Sequence, residues 1–244
     1  MCEAAVSRGL RGIAFTDHCD TYSGRDLCMS VKKLLTDEAL RAREVYGDRL
    51  EISIGVELGE PHHDIELAGE IISDRDLDFV IGSLHHARGQ QDYYYVDYKT
   101  ADVDAVMQRY YDELEELAEC GLYDVIGHIN YQTRYMPKEI RDRTDLSRYY
   151  GRLRGVLEAA ASLGKGIEVN SSGIWRGIGI TLPSPEVTAM FRASGGRTVT
   201  TGSDAHSASN VGDGLPEAVQ CLKDAGFSQF AFFRNKIPEF HEIT

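Results

Sequence analysis

Carboxylates and imidazoles recur in this sequence at the ends of short apolar runs. GIAFTDH ends in Asp17 and His18, ISIGVE in Glu57, and FVIGSLHH in His85 and His86; DVIGHIN carries His128 and Asn130, GIEVN ends in Asn170, and TVTTGSDAH delivers Asp204 and His206. Imidazole mixed with carboxylate is the donor set of zinc, manganese and iron. The two groups do different work in such a site. A neutral imidazole forms a strong, directional bond, whereas a carboxylate can bridge two ions and offset their charge. His18, Glu57, His85, His128, Asp204 and His206 are therefore the candidate metal ligands. His86 follows a candidate ligand directly and points to the opposite face of its strand. Asp17 and Asn170 fit better as groups that orient a ligand or touch substrate. Arg134, just past the His128 run in QTRY, has the planar fork that suits bidentate contact with a phosphate, so Asp17 and Arg134 are the candidate catalytic residues, and Arg134 and Asn170 the candidate substrate contacts. A surface ion pair is the plainer reading of Arg134. His62 and His63, in GEPHHD, read as solvated loop residues, although a loop at the mouth could touch substrate; His241 lies in the tail, and DYYYVDY (92–98) reads as a packed or interface loop at the rim, with substrate contact the weaker option.

Residues so far apart in sequence meet only if the elements carrying them end at one place. Apolar runs predict strands at Gly12–Thr16, Glu51–Glu57, Asp78–His85, Val125–Asn130, Gly166–Asn170, Thr198–Ser203 and Gln229–Phe233. Helical periodicity fills the intervals around Val31–Tyr46, Asp102–Cys120, Asp145–Leu163, Ser184–Ala193 and Pro216–Ala225, and positions 1–9 also read as helix. Alternating strands and helices imply parallel pairing with right-handed crossovers, and the rhythm suits a (β/α) barrel better than an open sheet. In Glu51–Glu57, Ile52, Ile54 and Val56 face the helices, while Ser53, Gly55 and Glu57 face the interior, with the carboxylate at the carboxyl end. That is the end at which barrel sites form. Neither GxGxxG nor GxxxxGK[ST] is present at a strand-to-helix turn.

Composition narrows the class further. The 244 residues carry 26 Lys and Arg against 39 Asp and Glu, a net charge of −13 that counts against a nucleic-acid partner. A small anionic substrate stays compatible with it, because bound metals make a local site cationic. No run approaches the roughly 18 apolar residues of a membrane span, and no charged-then-apolar leader opens the chain, so a cytoplasmic protein with no membrane partner is expected. The five cysteines include no CxxC, which argues against a disulfide framework or a thiolate zinc knuckle. No linker-like stretch divides the chain, so residues 1–244 read as one domain.

Taken in order, TDH, GVELG, GSLHH, GHIN followed by TRY, IEVNSSG and GSDAH resemble the PHP family (polymerase and histidinol phosphatase), and within it the histidinol-phosphatase branch. The resemblance covers essentially the whole chain, and the ordered set is specific where any single motif is weak. It implies a distorted (β/α)7 barrel with two or three divalent metals, and hydrolysis of L-histidinol phosphate to L-histidinol and phosphate in histidine biosynthesis. By motif, Glu57 would bridge two metals, one of them completed by His85 and His128. Asp204 would ligate the other bridged metal, and His18 and His206 would serve a third.

Family members begin with a strand carrying His-x-His and a further histidine, ahead of a helix that resembles MCEAAVSRGL. The resemblance therefore implies a barrel without its first strand, and a metal cluster with fewer ligands than its relatives. Bare strand edges can be covered by drawing the flanking strands together into a narrower barrel or by a second copy of the chain; self-association covers both the backbone groups and the apolar surface, so a homo-oligomer is the favoured expectation. Two other functions stay compatible with the motifs: a metal-binding protein impaired in turnover, and a phosphoesterase or exonuclease of other specificity. The charge of −13 disfavours the exonuclease.

Overall fold

A computed structural model describes residues 1–243. Six parallel strands, β1 (Gly12–Phe15), β2 (Glu51–Gly59), β3 (Phe79–Ser83), β4 (Val125–Ile126), β5 (Gly166–Asn170) and β6 (Val199–Gly202), form a sheet in strictly sequential order. Each strand pairs with the next in the chain, and the sheet curls into an open half-barrel rather than a closed one. Close approach sets its shape at particular glycines: a Cβ on Gly55 would strike the Phe79 carbonyl and Thr16, and one on Gly127 would strike Ile81 and Ser83.

The helices are α1 (Cys2–Ser7), α2 (Arg25–Tyr46), α3 (Ile65–Ile72), α4 (Val103–Cys120), α5 (Lys138–Arg141), α6 (Tyr150–Ser162), α7 (Ser172–Trp175), α8 (Pro185–Ala193) and α9 (Leu215–Asp224). Several start on side-chain caps. Asp64 accepts from Leu67 N, Asp102 from Ala105 N, and Ser184 from Val187 N with Pro185 in the first turn. α2 starts six residues before the predicted Val31, and α3 escaped the periodicity because it is only eight residues long. Ile52, Ile54 and Val56 join Leu35 and Ala39 of α2 and Leu67 and Ile71 of α3 in the main apolar core.

The predicted strand at Gln229–Phe233 exists as β7 (Gln229–Arg234), but it does not join the parallel sheet. It pairs antiparallel with β8 (Ile237–Glu242) across Asn235 and Lys236, both at positive φ (49° and 62°). A two-residue turn of that kind makes a hairpin, whereas a parallel partner needs a long crossover. Ala231 and Phe233 pack against Phe79, Ile81, Val125 and Ala14, with the Phe79 and Phe233 rings stacked at 4.8 Å. Asp78 anchors the turn: its carboxylate accepts from Asn235 N and its carbonyl from Lys236 N, both at 2.8 Å. The hairpin therefore plugs the interior at the amino-terminal ends of the strands and leaves the carboxyl ends free.

Candidate metal centre

Strand register brings the first ligands together. Phe15 pairs with Ile54, and the chain runs on beside β2 so that His18 bridges Glu57. Cys19 N donates to the Glu57 carbonyl at 2.8 Å, and Glu57 N donates to the Asp17 carbonyl at 3.1 Å. On β3, Phe79, Ile81 and Ser83 share one face by period-two alternation, and His85 follows two residues past the strand end, at the mouth. His128 follows the short β4 in a turn where His128 and Asn130 have positive φ (22° and 73°). Two α4 tyrosines hold this turn: Asn130 N donates to Tyr110 Oη at 2.8 Å, and Tyr111 Oη donates to Asn130 Oδ1 at 2.7 Å.

One Glu57 oxygen, Oε1, receives two imidazoles, His128 Nε2 at 2.8 Å and His85 Nε2 at 3.1 Å. His18 Nε2 lies 3.7 Å from the other oxygen, Oε2. Burial alone would push the Glu57 carboxyl up, but the bonds from His128 and His85 and the charge on His18 hold it well below the ordinary range. Burial likewise opposes charge on His85, yet Glu57 outweighs it and lifts the imidazole to about 10. Asp20 and the Glu57 charge lift His18 to about 9. Burial wins at His128, which is pushed down. Its Nδ1 is buried without a hydrogen-bond partner. A carboxylate shared by converging imidazoles, with ligand atoms of His18, Glu57 and His85 all within 4.8 Å of one another, fits a divalent transition metal.

A second group adjoins the first. Arg134 is buried, its Nη2 lies 2.8 Å from Asp204 Oδ2, and its guanidinium sits 5.0 Å over the Tyr131 ring. Its Nε–H has no partner. The ion pair expected on the surface is thus an interior one with a donor to spare. Asn170 Nδ2 donates to Glu168 Oε2 at 3.0 Å, and Glu168 Oε2 also accepts from His128 N at 3.1 Å. His206 is exposed, with its ring 5.9 Å from that of His18, and its Nδ1 is 3.5 Å from Asp204 Oδ1. Asp17 is exposed and meets the centre through its carbonyl.

Three acidic residues of the site escaped the sequence reading. Glu168 is fully buried, and burial with the charges of Asp204 and Glu57 pushes its carboxyl up to about 7, against the bonds from Asn170 and His128. It lies two residues before Asn170 in GIEVN, so strand parity alone places both on one face. Glu60 is buried, and its Oε1 accepts from His85 N at 2.6 Å and His86 N at 3.2 Å. Asp20 Oδ1 is 3.7 Å from both His18 Nδ1 and His85 Nδ1.

His62 and His63 are not solvated: both Nε2 atoms bond to Glu113 Oε2, at 2.8 and 2.7 Å. The reversal has a simple cause. The loop after β2 folds back against α4, a contact that no local pattern encodes. In DYYYVDY, Tyr93 and Tyr98 are buried while Tyr94 and Tyr95 stay exposed. These two join His18, Asp20, Tyr22, His85, Asp92 and Tyr131 around a cavity of about 350 Å³.

The chain is similar in sequence and in fold to known proteins. The PHP domain family matches residues 1–172. A Deinococcus radiodurans protein named "Probable histidinol-phosphatase" is 27% identical over 244 aligned residues, covering 96% of this chain and 90% of the relative. The Lactococcus lactis histidinol-phosphatase is 28% identical, covering 94% and 85%. The Lactococcus lactis histidinol phosphate phosphatase, solved with zinc, L-histidinol and phosphate, superposes with a TM-score of 0.74 at 23% identity over 97% of this chain and 90% of that one. A Listeria monocytogenes structure gives 0.76 at 15% identity, covering 89% and 92%.

Proposed function

This chain belongs to the PHP domain family, and from that premise we propose that it is a metal-dependent phosphomonoesterase that hydrolyses L-histidinol phosphate to L-histidinol and phosphate. The observation that carries the reading is the juxtaposition of the Glu57 cluster with a buried guanidinium. Glu57, His85 and His128 would hold one divalent metal, Asp204 together with Glu57 a second, and His18 and His206 would serve a third. Zinc is favoured because the Lactococcus lactis relative was solved with it; manganese and iron accept the same donors. Such metals polarise phosphoryl oxygens and lower the pKa of a bound water to about 7.

The chain's own groups supply the rest. Arg134 offers its unpartnered Nε–H to a phosphoryl oxygen, and the Asp204 carboxylate and the Tyr131 face fix the guanidinium in place. Asn170 and Glu168 hold the turn that carries His128, through the Glu168 bond to His128 N. Asp17 holds the Glu57 backbone through its carbonyl. Beyond the phosphate, a cavity of about 350 Å³ is the size of a small-ligand pocket. Its Tyr22, Tyr94, Tyr95 and Tyr131 walls, with Asp20 and Asp92, suit a substrate that carries an ammonium and an imidazole. Among the described residues, no helix is long and apolar enough to cross a membrane.

Phosphate release from histidinol phosphate, compared with generic phosphomonoesters, tests the assignment. A clear preference in kcat/KM for histidinol phosphate is expected. Metal binding without turnover would favour the impaired-enzyme reading, and equal turnover of all monoesters would remove the substrate assignment.

A further inference from the structure

A second set of zinc-type donors lies outside the Glu57 centre. His62 and His63 occupy the loop between β2 and α3, and Glu113 lies in the middle of α4. Their ligand atoms, two Nε2 and one carboxylate oxygen, all fall within 4.8 Å of one another. The side chains are 3%, 10% and 12% exposed, so the group is largely dry but open on one side. We propose that His62, His63 and Glu113 form a second divalent-metal site, of the zinc class, independent of the phosphatase centre.

Three features support a built site over a chance hydrogen bond. First, the two Glu113 oxygens are divided: Oε1 accepts Arg88 N at 2.8 Å, while Oε2 faces both imidazoles. A ligating carboxylate oriented by a backbone N–H is a usual companion of metal sites. Second, the histidine-bearing loop is fixed from behind. Arg88 donates to the carbonyls of His62 (3.2 Å) and His63 (3.4 Å), and His63 N donates to the Glu60 carbonyl (2.9 Å). Third, among the described residues the ion pairs of this largely buried carboxylate are with the two imidazoles; the Arg88 guanidinium pairs with Glu116 instead.

Two histidines and a glutamate with one open side make a three-ligand zinc set completed by water. Nε2 and Oε2 now stand 2.7–2.8 Å apart. Zinc bonds of roughly 2.0–2.1 Å put tetrahedral donors about 3.3 Å apart, so each imidazole must retreat by about 0.5 Å. The site would also brace the active-site rim. His63 packs against His86 at 5.4 Å, and His86 Nε2 lies 3.2 Å from Glu60 Oε2, whose partner oxygen holds His85 N.

The test is zinc stoichiometry of the full chain after metal stripping and dialysis against zinc, for wild type, Glu113→Gln and His63→Gln. Wild type is expected to retain one zinc equivalent more than either variant, with both variants keeping the metal of the Glu57 centre. Equal zinc content in wild type and variants would overturn the proposal and leave Glu113 as a hydrogen-bond partner only. If the variants fail to fold, a wild-type crystal soaked in zinc decides at the zinc absorption edge: an anomalous peak between His62, His63 and Glu113 supports the site, and none there removes it. Neither readout depends on turnover.

Discussion

At the amino-terminal ends of the parallel strands, Phe79, Ile81 and Val125 close on Ala231 and Phe233 of the hairpin. A few residues further along the chain, β3 leads to His85, and the turn after β4 carries His128, against the Glu57 carboxylate. One face of β3 thus passes from aromatic to aliphatic to hydroxyl, and the His85 imidazole follows just past its end. The contrast shows how one sheet separates two tasks. The apolar end supplies stabilisation and keeps water from beneath the site. The polar end holds charges in a setting where their mutual interactions, rather than solvent, set their protonation.

That division can be broken from either side. The largest effect is expected at the polar end: Glu57→Ala removes the shared carboxylate, and metal content should collapse with a loss in kcat/KM of about 1,000-fold or more, several kcal/mol of transition-state stabilisation. Elemental analysis beside phosphate release reads both. At the apolar end, Phe233→Ala should cost about 3–5 kcal/mol in unfolding free energy by denaturant titration while the folded fraction keeps its metal and activity. Loss of activity per folded molecule in that variant would show that the two ends are not separate.

Glu168 lies at the border, and pH sharpens the comparison there. Its carboxyl sits near 7 in the folded chain against an ordinary 4.5. Between those values the folded protein holds a proton that the unfolded chain has released, so stability falls as pH rises through the window. Metal-free Glu168→Gln should escape this decline and gain on wild type by up to about 3 kcal/mol between pH 5 and 8. Parallel denaturation curves across pH check it, and an identical pH dependence in both proteins would show that the carboxylate is already ionised. The smallest effect is expected for Arg134→Lys, which keeps charge but loses the fork: KM for histidinol phosphate should rise roughly 10-fold with stability little changed. A kcat loss without a KM change would place Arg134 away from the ground-state phosphate.

Part of this arrangement is legible in the sequence. Alternation in ISIGVE put Glu57 on the inner face, and the repeated polar endings named His18, His85, His128 and Asp204 as residues that would meet. These are local facts, since side-chain direction in a strand has period two and the carboxyl ends of parallel strands share one rim. The same parity would have found Glu168 from Asn170, had the inner face of GIEVN been followed down the strand. The rest depends on which distant backbone comes alongside. The run Gln229–Phe233 reads as a strand in any setting, but Asn235 and Lys236 turn it into a hairpin and Asp78, far away in sequence, holds it as a plug. GEPHHD reads as solvated until α4 brings Glu113 against it. Periodicity reports which way a side chain faces; its partner is set by packing between elements, and at His62, His63 and Arg134 that partner decides whether the residue meets water or joins a buried charged cluster.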